Sequence, residues 1–148
     1  MAIVIGANFG YCVLAAVGIS AQCFLAGMSV TFARKKYKVA YPDNGGGRFS
    51  DKLSDKDWVE FNNIKRVSDN YSENIGMVLS MLLCAGLFQP ILAASLGGTF
   101  ILGKLAYGIG YIKGGPKGRM LGAPVAALSF FALTFIAGYN AALTTIFA

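Results

Sequence analysis

"IGMVLSMLLCAGLFQPILAASLGGTFILGKLAYGIGYI", from Ile75 to Ile112, is the stretch on which the fold turns. Its 38 residues carry one charge, Lys104. As a single helix it would run about 57 Å, nearly twice the ~30 Å hydrocarbon core of a bilayer. Gln89-Pro90 stands near its middle. Proline has no amide proton to give a helix, and it disfavours helical backbone at the residue before it. The stretch therefore predicts two antiparallel membrane helices joined by a tight turn at Gln89-Pro90.

The same pattern extends outward. Met1 to Ala33 and Met120 to Ala148 carry no charge, and the chain as a whole is 55% hydrophobic but only 14% charged. Charge-free apolar blocks of about 20 residues are long enough to span a membrane, and a chain of 148 residues cannot hide three of them in a soluble core. The reading is an all-α integral membrane protein, a four-helix up-down-up-down bundle in one domain covering residues 1–148. Its spans are placed at Asn8 to Ala33, Phe61 to Phe88, Ile91 to Ile112 and Gly122 to Phe147. Met1 to Ala33 lacks a basic n-region and is too long for the apolar region of a signal peptide, so it is expected to remain as the first span.

Basic residues set the expected orientation. Nine Lys and Arg lie between Arg34 and Glu73 and three between Lys113 and Arg119, whereas the Gln89-Pro90 turn has none. Loops one (34–60) and three (113–121) share a side in such a bundle, and the excess marks it as cytoplasmic. The net charge of +6 is thus a topology signal, and nucleic-acid binding is not expected. The chain has no histidine, and Cys12, Cys23 and Cys84 show no ligand spacing. Metal binding and His-dependent triads are not expected, and the cysteines read as buried small apolar residues.

Loop one opens with the basic cluster "ARKKYK", suited to lipid headgroups. It continues through Gly45-Gly46-Gly47, read as flexible, to Ser54, a possible N-cap for the second helix. The third loop, "GGPKGR", is read as non-helical. Gly6-x-x-x-Gly10 and "AASLGG" would permit close helix approach. Asn70-Tyr71-Ser72 fits the glycosylation triplet but falls on a helix on the cytoplasmic side, where it would go unused.

"FNNIKRVSDNYSEN", Phe61 to Asn74, leads into the second span. On a helix Arg66, Asn70 and Glu73 share one face, with Asp69 and Lys65 beside them; Lys104, Tyr107 and Tyr111 form a stripe on the third helix. Both sets, with Lys113 and Arg119, converge near the cytoplasmic boundary. Ionisable groups at membrane depth face a bundle interior, a cavity or one another. Two readings stay open on these residues: an Arg66–Glu73 network holding helices together, with the tyrosines as an interfacial belt, or a site for a small zwitterion with several carboxylates.

"ARKKYKVAYP", "FNNIKRVSDNYSEN", "AGLFQPILAASLG" and "LGKLAYGIGYIKGGPKGRMLG" resemble the membrane-associated proteins in eicosanoid and glutathione metabolism. The resemblance covers most of Ala33 to Gly122. It implies a homotrimer, glutathione as co-substrate between adjacent subunits, and a lipophilic second substrate reached from the bilayer. By position it makes Arg66, Asn70, Glu73, Tyr107 and Tyr111 the glutathione contacts, Arg34 a contact from the neighbouring subunit, and Arg119 the group that activates the thiol. The implied location is endoplasmic reticulum or mitochondrial membrane. The chain departs from the family pattern at Val67-Ser68-Asp69, at Ile75-Gly76, at Lys104 where an arginine is usual, and in a longer loop one. The expected activity is a glutathione-dependent membrane transferase or peroxidase; the alternatives are an accessory subunit of a larger membrane complex and a lipid-binding protein without chemistry.

Overall fold

A computed structural model describes residues 5–146. Among them are four helices long and apolar enough to cross a membrane: α1 (Phe9–Tyr37), α2 (Asp55–Phe88), α3 (Pro90–Gly118) and α4 (Ala123–Ile146). No strand occurs among these residues. The first four residues of the N-terminal block and Phe147 of the fourth expected span lie outside the described residues.

The turn at Gln89-Pro90 is where proline chemistry puts it. Gln89 leaves helical geometry (φ −135°, ψ 70°), and Pro90 opens α3, a position at which its missing amide proton costs nothing. The start of α1 lies beside this turn, where the Cys12 thiol donates to Pro90 O at 3.1 Å. At the other end the start of α2 approaches the α3–α4 corner, with Asn63 near Gly115. The helices therefore run up-down-up-down, with loops one and three at the same end. α2 and α3 pack together at the centre, flanked by α1 on one side and α4 on the other.

Small residues let the helices close. A Cβ at Gly97 would stand 2.9 Å from Ala15 Cβ, and one at Gly86 2.7 Å from Cys12 Sγ. Gly6 and Gly10 meet nothing and play no such part within the chain. Ile19, Val78, Leu82 and Leu133 fill the interior, while large apolar side chains face outward: Leu14 and Phe24 are 68% exposed, Phe135 69%. That inverted pattern suits a lipid surround. Of the three cysteines only Cys12 is buried; Cys84, expected inside, is exposed on the outer face.

α2 starts at Asp55, before the membrane span read from Phe61, because Ser54 is extended and its Oγ accepts the Asp57 amide at 3.2 Å. Asp55 and Asp57 complement the positive end of the helix. Loop one, read as flexible at its glycines, is hydrogen-bonded at Gly45 and Gly47. The Asp43 carboxylate accepts the amides of Gly45 (2.8 Å), Gly47 (3.1 Å), Phe49 (2.7 Å) and Ser50 (2.7 Å), and the Ser50 hydroxyl (2.9 Å). Asn62 on α2 donates to Gly45 O at 2.9 Å, tying the loop to the bundle. Burial pushes the Asp43 carboxyl up, but the bonds from Ser50, Gly45 and Phe49 together outweigh it and hold the group well below the usual carboxylate range.

The third loop also departs from expectation. "GGPKGR" is helical on both sides of Gly115, which alone takes φ 61°, ψ −149°. Only glycine visits that region readily, and Pro116 can begin a new turn without losing a hydrogen bond. The chain folds back so tightly that a side chain at Gly118 would strike the backbone of Gly110. A side chain at Gly122 would likewise strike α3 at Gly103 and Tyr107.

Gly115→Ala is expected to destabilise the detergent-solubilised protein by about 1–3 kcal/mol in thermal melts. Gly114→Ala, which has open space around it, leaves the melting temperature unchanged. A depressed carboxyl stabilises above its unfolded pKa of ~3.9 and loses that contribution as pH falls toward the folded value. Limited proteolysis of residues 43–50 should therefore be slow at pH 5–8 and accelerate below about pH 4; Asp43→Asn should be cut quickly at pH 7.

Candidate functional site

The sequence places Arg66, Asn70 and Asn74 on one face of α2, at helical spacings of four. α3 presents Phe100, Lys104 and Tyr107 to the same space. Arg119, beyond the reversal at Gly115, supplies part of the remaining wall. On a straight helix Arg119 would stand about 18 Å beyond Tyr107; the reversal brings it back to line the same cavity. α4 closes the far side with Ala123, Ala126, Ala127, Phe130 and Phe131. The cavity holds about 380 Å³.

Its two sides differ chemically. α2, α3 and the corner give two guanidiniums, an ammonium, two amides and a phenol. α4 gives alanine and phenylalanine only. The charge pattern is specific as well. Arg66 Nη1 and Glu73 Oε1 are 2.7 Å apart, both about half exposed. This pair lies within one helix, so it does not hold helices together, the first of the two readings left open above. The tie between α2 and α3 is Lys104. Its Nζ donates to Asn70 Oδ1 at 2.6 Å and Asn70 O at 3.2 Å, and it sits 4.3 Å from the Tyr71 ring centroid and 5.2 Å from that of Tyr107. Lys104 is 3% exposed, and among the described residues no carboxylate is within ion-pair distance of it.

Of the residues predicted to form a site, Arg66, Asn70, Tyr107 and Arg119 line the cavity. Glu73 joins through Arg66 at its edge. Tyr111 stands behind Tyr107, ring centroids 5.6 Å apart, and does not line the cavity. Arg34 is elsewhere: its guanidinium bonds Asn44 Oδ1 (3.0 Å) and Val39 O (3.4 Å) and covers the Tyr41 ring at 4.2 Å. Asp69, the departure that put a negative charge on this helix, is paired with Lys65 and is not part of the cavity lining.

Sequence reasoning missed Asn74, Phe100 and the α4 wall. Asn74 was within reach, being four residues beyond Asn70; its Nδ2 donates to Asn70 O at 2.6 Å. α4 carries no charge, and its scattered Ser, Thr and Asn residues offer no periodicity from which to choose a face. Among the described residues no group of three or more His, Cys, Asp or Glu is placed to hold a metal.

Donors and cations on one wall and hydrocarbon on the other suit an anionic, polar ligand that meets an apolar one. The sequence of this chain matches the model of the MAPEG family over residues 12–139.

Proposed function

The chain belongs to the MAPEG family, and from that membership we propose that it is a glutathione-dependent membrane transferase or peroxidase acting on lipophilic electrophiles or lipid hydroperoxides. The family includes glutathione transferases and peroxidases and proteins of eicosanoid metabolism. The quoted segments resemble microsomal glutathione S-transferase 3. The observation that carries the reading is the convergence of Arg66, Asn70, Tyr107 and Arg119 on one cavity.

Glutathione carries two carboxylates and one ammonium. Arg66 and the Asn70 amide meet a carboxylate, and Glu73 meets the ammonium. Arg119 has the remaining task. A free thiol ionises near pH 8.5, so only a few per cent is thiolate at neutral pH, and the thiolate is the nucleophile. An arginine beside the sulfur stays protonated and favours the anion; two pH units of depression require about 2.7 kcal/mol of differential interaction. In conjugation the sulfur forms a bond to the electrophilic carbon and the leaving group or ring oxygen takes the electron pair. In peroxide reduction it attacks the terminal oxygen, the O–O bond breaks and an alcohol departs; a second glutathione converts the sulfenic acid to the disulfide and water. The apolar α4 wall receives the lipophilic partner.

The proposal extends to a homotrimer in an endoplasmic reticulum or mitochondrial membrane, with loops one and three on the cytoplasmic side and Arg34 serving the site of a neighbouring copy. For that service Arg34 has to keep donors beyond the two that its own loop engages.

Equilibrium binding and turnover with the detergent-purified protein test this reading. The wild type is expected to bind glutathione at millimolar concentration or tighter, and Arg66→Ala to weaken binding at least tenfold. Arg119→Ala should keep most of the binding but lose about ten- to thirtyfold in rate at pH 7, with a rate that climbs through pH 8.5 instead of levelling at about pH 7.5. No binding by the wild type, together with co-purified stoichiometric partner subunits, would replace the reading with that of an accessory subunit.

A further inference from the structure

We propose that Lys104 is a positioning residue: by holding the Asn70 amide oxygen inward, it turns the Asn70 NH2 group toward the cavity as a hydrogen-bond donor beside the Arg66 fork, and so favours a free carboxylate at that point of the wall. The inference rests on the glutathione reading and adds the device that orients the ligand.

The argument begins with what an ammonium can do. It has three donors and no acceptor, so at 2.6 Å it can face only the oxygen of an amide, never the nitrogen. The orientation of Asn70, ordinarily an inference from its surroundings, is fixed by its partner. Asn70 Oδ1 and Asn70 O take two donors, and the ring of Tyr71 lies within cation–π range of the charge. Lys104 is therefore spent within the protein. It lines the cavity yet keeps little to give a ligand directly, whereas an arginine there would retain free donors.

The consequence falls on Asn70. With its oxygen turned in, its NH2 group is left on the side of Glu73 and the cavity. Asn74 Nδ2 is occupied with Asn70 O. At this point of the wall the Arg66 fork and the Asn70 NH2 group are donors, and the Glu73 carboxylate at the edge is the acceptor for a ligand ammonium. A carboxylate satisfies the donors. An ester, with weaker acceptor oxygens and no charge, leaves them short, and unsatisfied donors are the more costly for being partly buried.

Binding of glutathione and of its diethyl ester, measured side by side on wild type, Lys104→Met, Lys104→Arg and Asn70→Asp, tests this. Lys104→Met frees the amide to flip and should narrow the preference for glutathione over the ester by about ten- to thirtyfold. Asn70→Asp keeps the contact to Lys104 but removes the NH2 donor, so it should also lose the preference while melting no lower than wild type. Lys104→Arg, still able to hold the oxygen, should restore it. Wild-type discrimination persisting in Lys104→Met would overturn the positioning role while leaving the glutathione site standing. Failure of the wild type to bind glutathione would overturn both.

Discussion

The candidate site depends on one backbone reversal. Arg119 lies twelve residues past Tyr107 in sequence, and an uninterrupted helix would carry it away from the bundle. Gly115 takes a backbone conformation that side chains resist, Pro116 restarts the helix, and the returning chain packs so closely that Gly118 and Gly122 must remain without side chains. The three conditions are coupled. A side chain at either contact point would meet backbone, so the corner closes in this form only with glycine there.

The second constraint is a buried cation in a low-dielectric setting. An ammonium withdrawn from water with no carboxylate beside it is costly, and the chain offsets that cost with two oxygens of one residue and several aromatic faces. Because the oxygens come from α2 and the ammonium from α3, the same contacts that tolerate the charge also lock the register of the two central helices. The ion pairs on α2 contribute differently. Arg66–Glu73 and Lys65–Asp69 stay within α2, and the first sets the charge at the cavity edge, whereas Lys36–Glu60 at 3.4 Å joins α1 to α2 near loop one.

The fold was legible where chemistry is local. Pro90 and the length of Ile75 to Ile112 sufficed for the central hairpin, and Ser54 announced the start of α2. The lining of the candidate cavity was legible where polar residues stand out against an apolar background, as Arg66, Asn70, Tyr107 and Arg119 do. The remainder depended on tertiary structure. Three glycines and a proline in "GGPKGR" argue against helix by propensity, yet a single non-helical residue was enough to accommodate them. The Gly45–Gly47 run looked loose because its organiser, Asp43, acts through hydrogen bonds that no sequence spacing reveals. The contacts of Arg34 with Asn44 and Tyr41 were not legible, because they form only once loop one has closed. α4 hid its cavity face among equally apolar neighbours.

A crystal structure of the protein with glutathione bound is the most direct test that this cavity is a thiol-activating site. The account predicts the tripeptide between α2, α3 and the Gly115 corner, a carboxylate on Arg66 and the Asn70 amide, and the sulfur within hydrogen-bonding reach of the Arg119 guanidinium. Glutathione bound with its sulfur remote from Arg119, or a cavity filled by lipid at saturating glutathione, would contradict it.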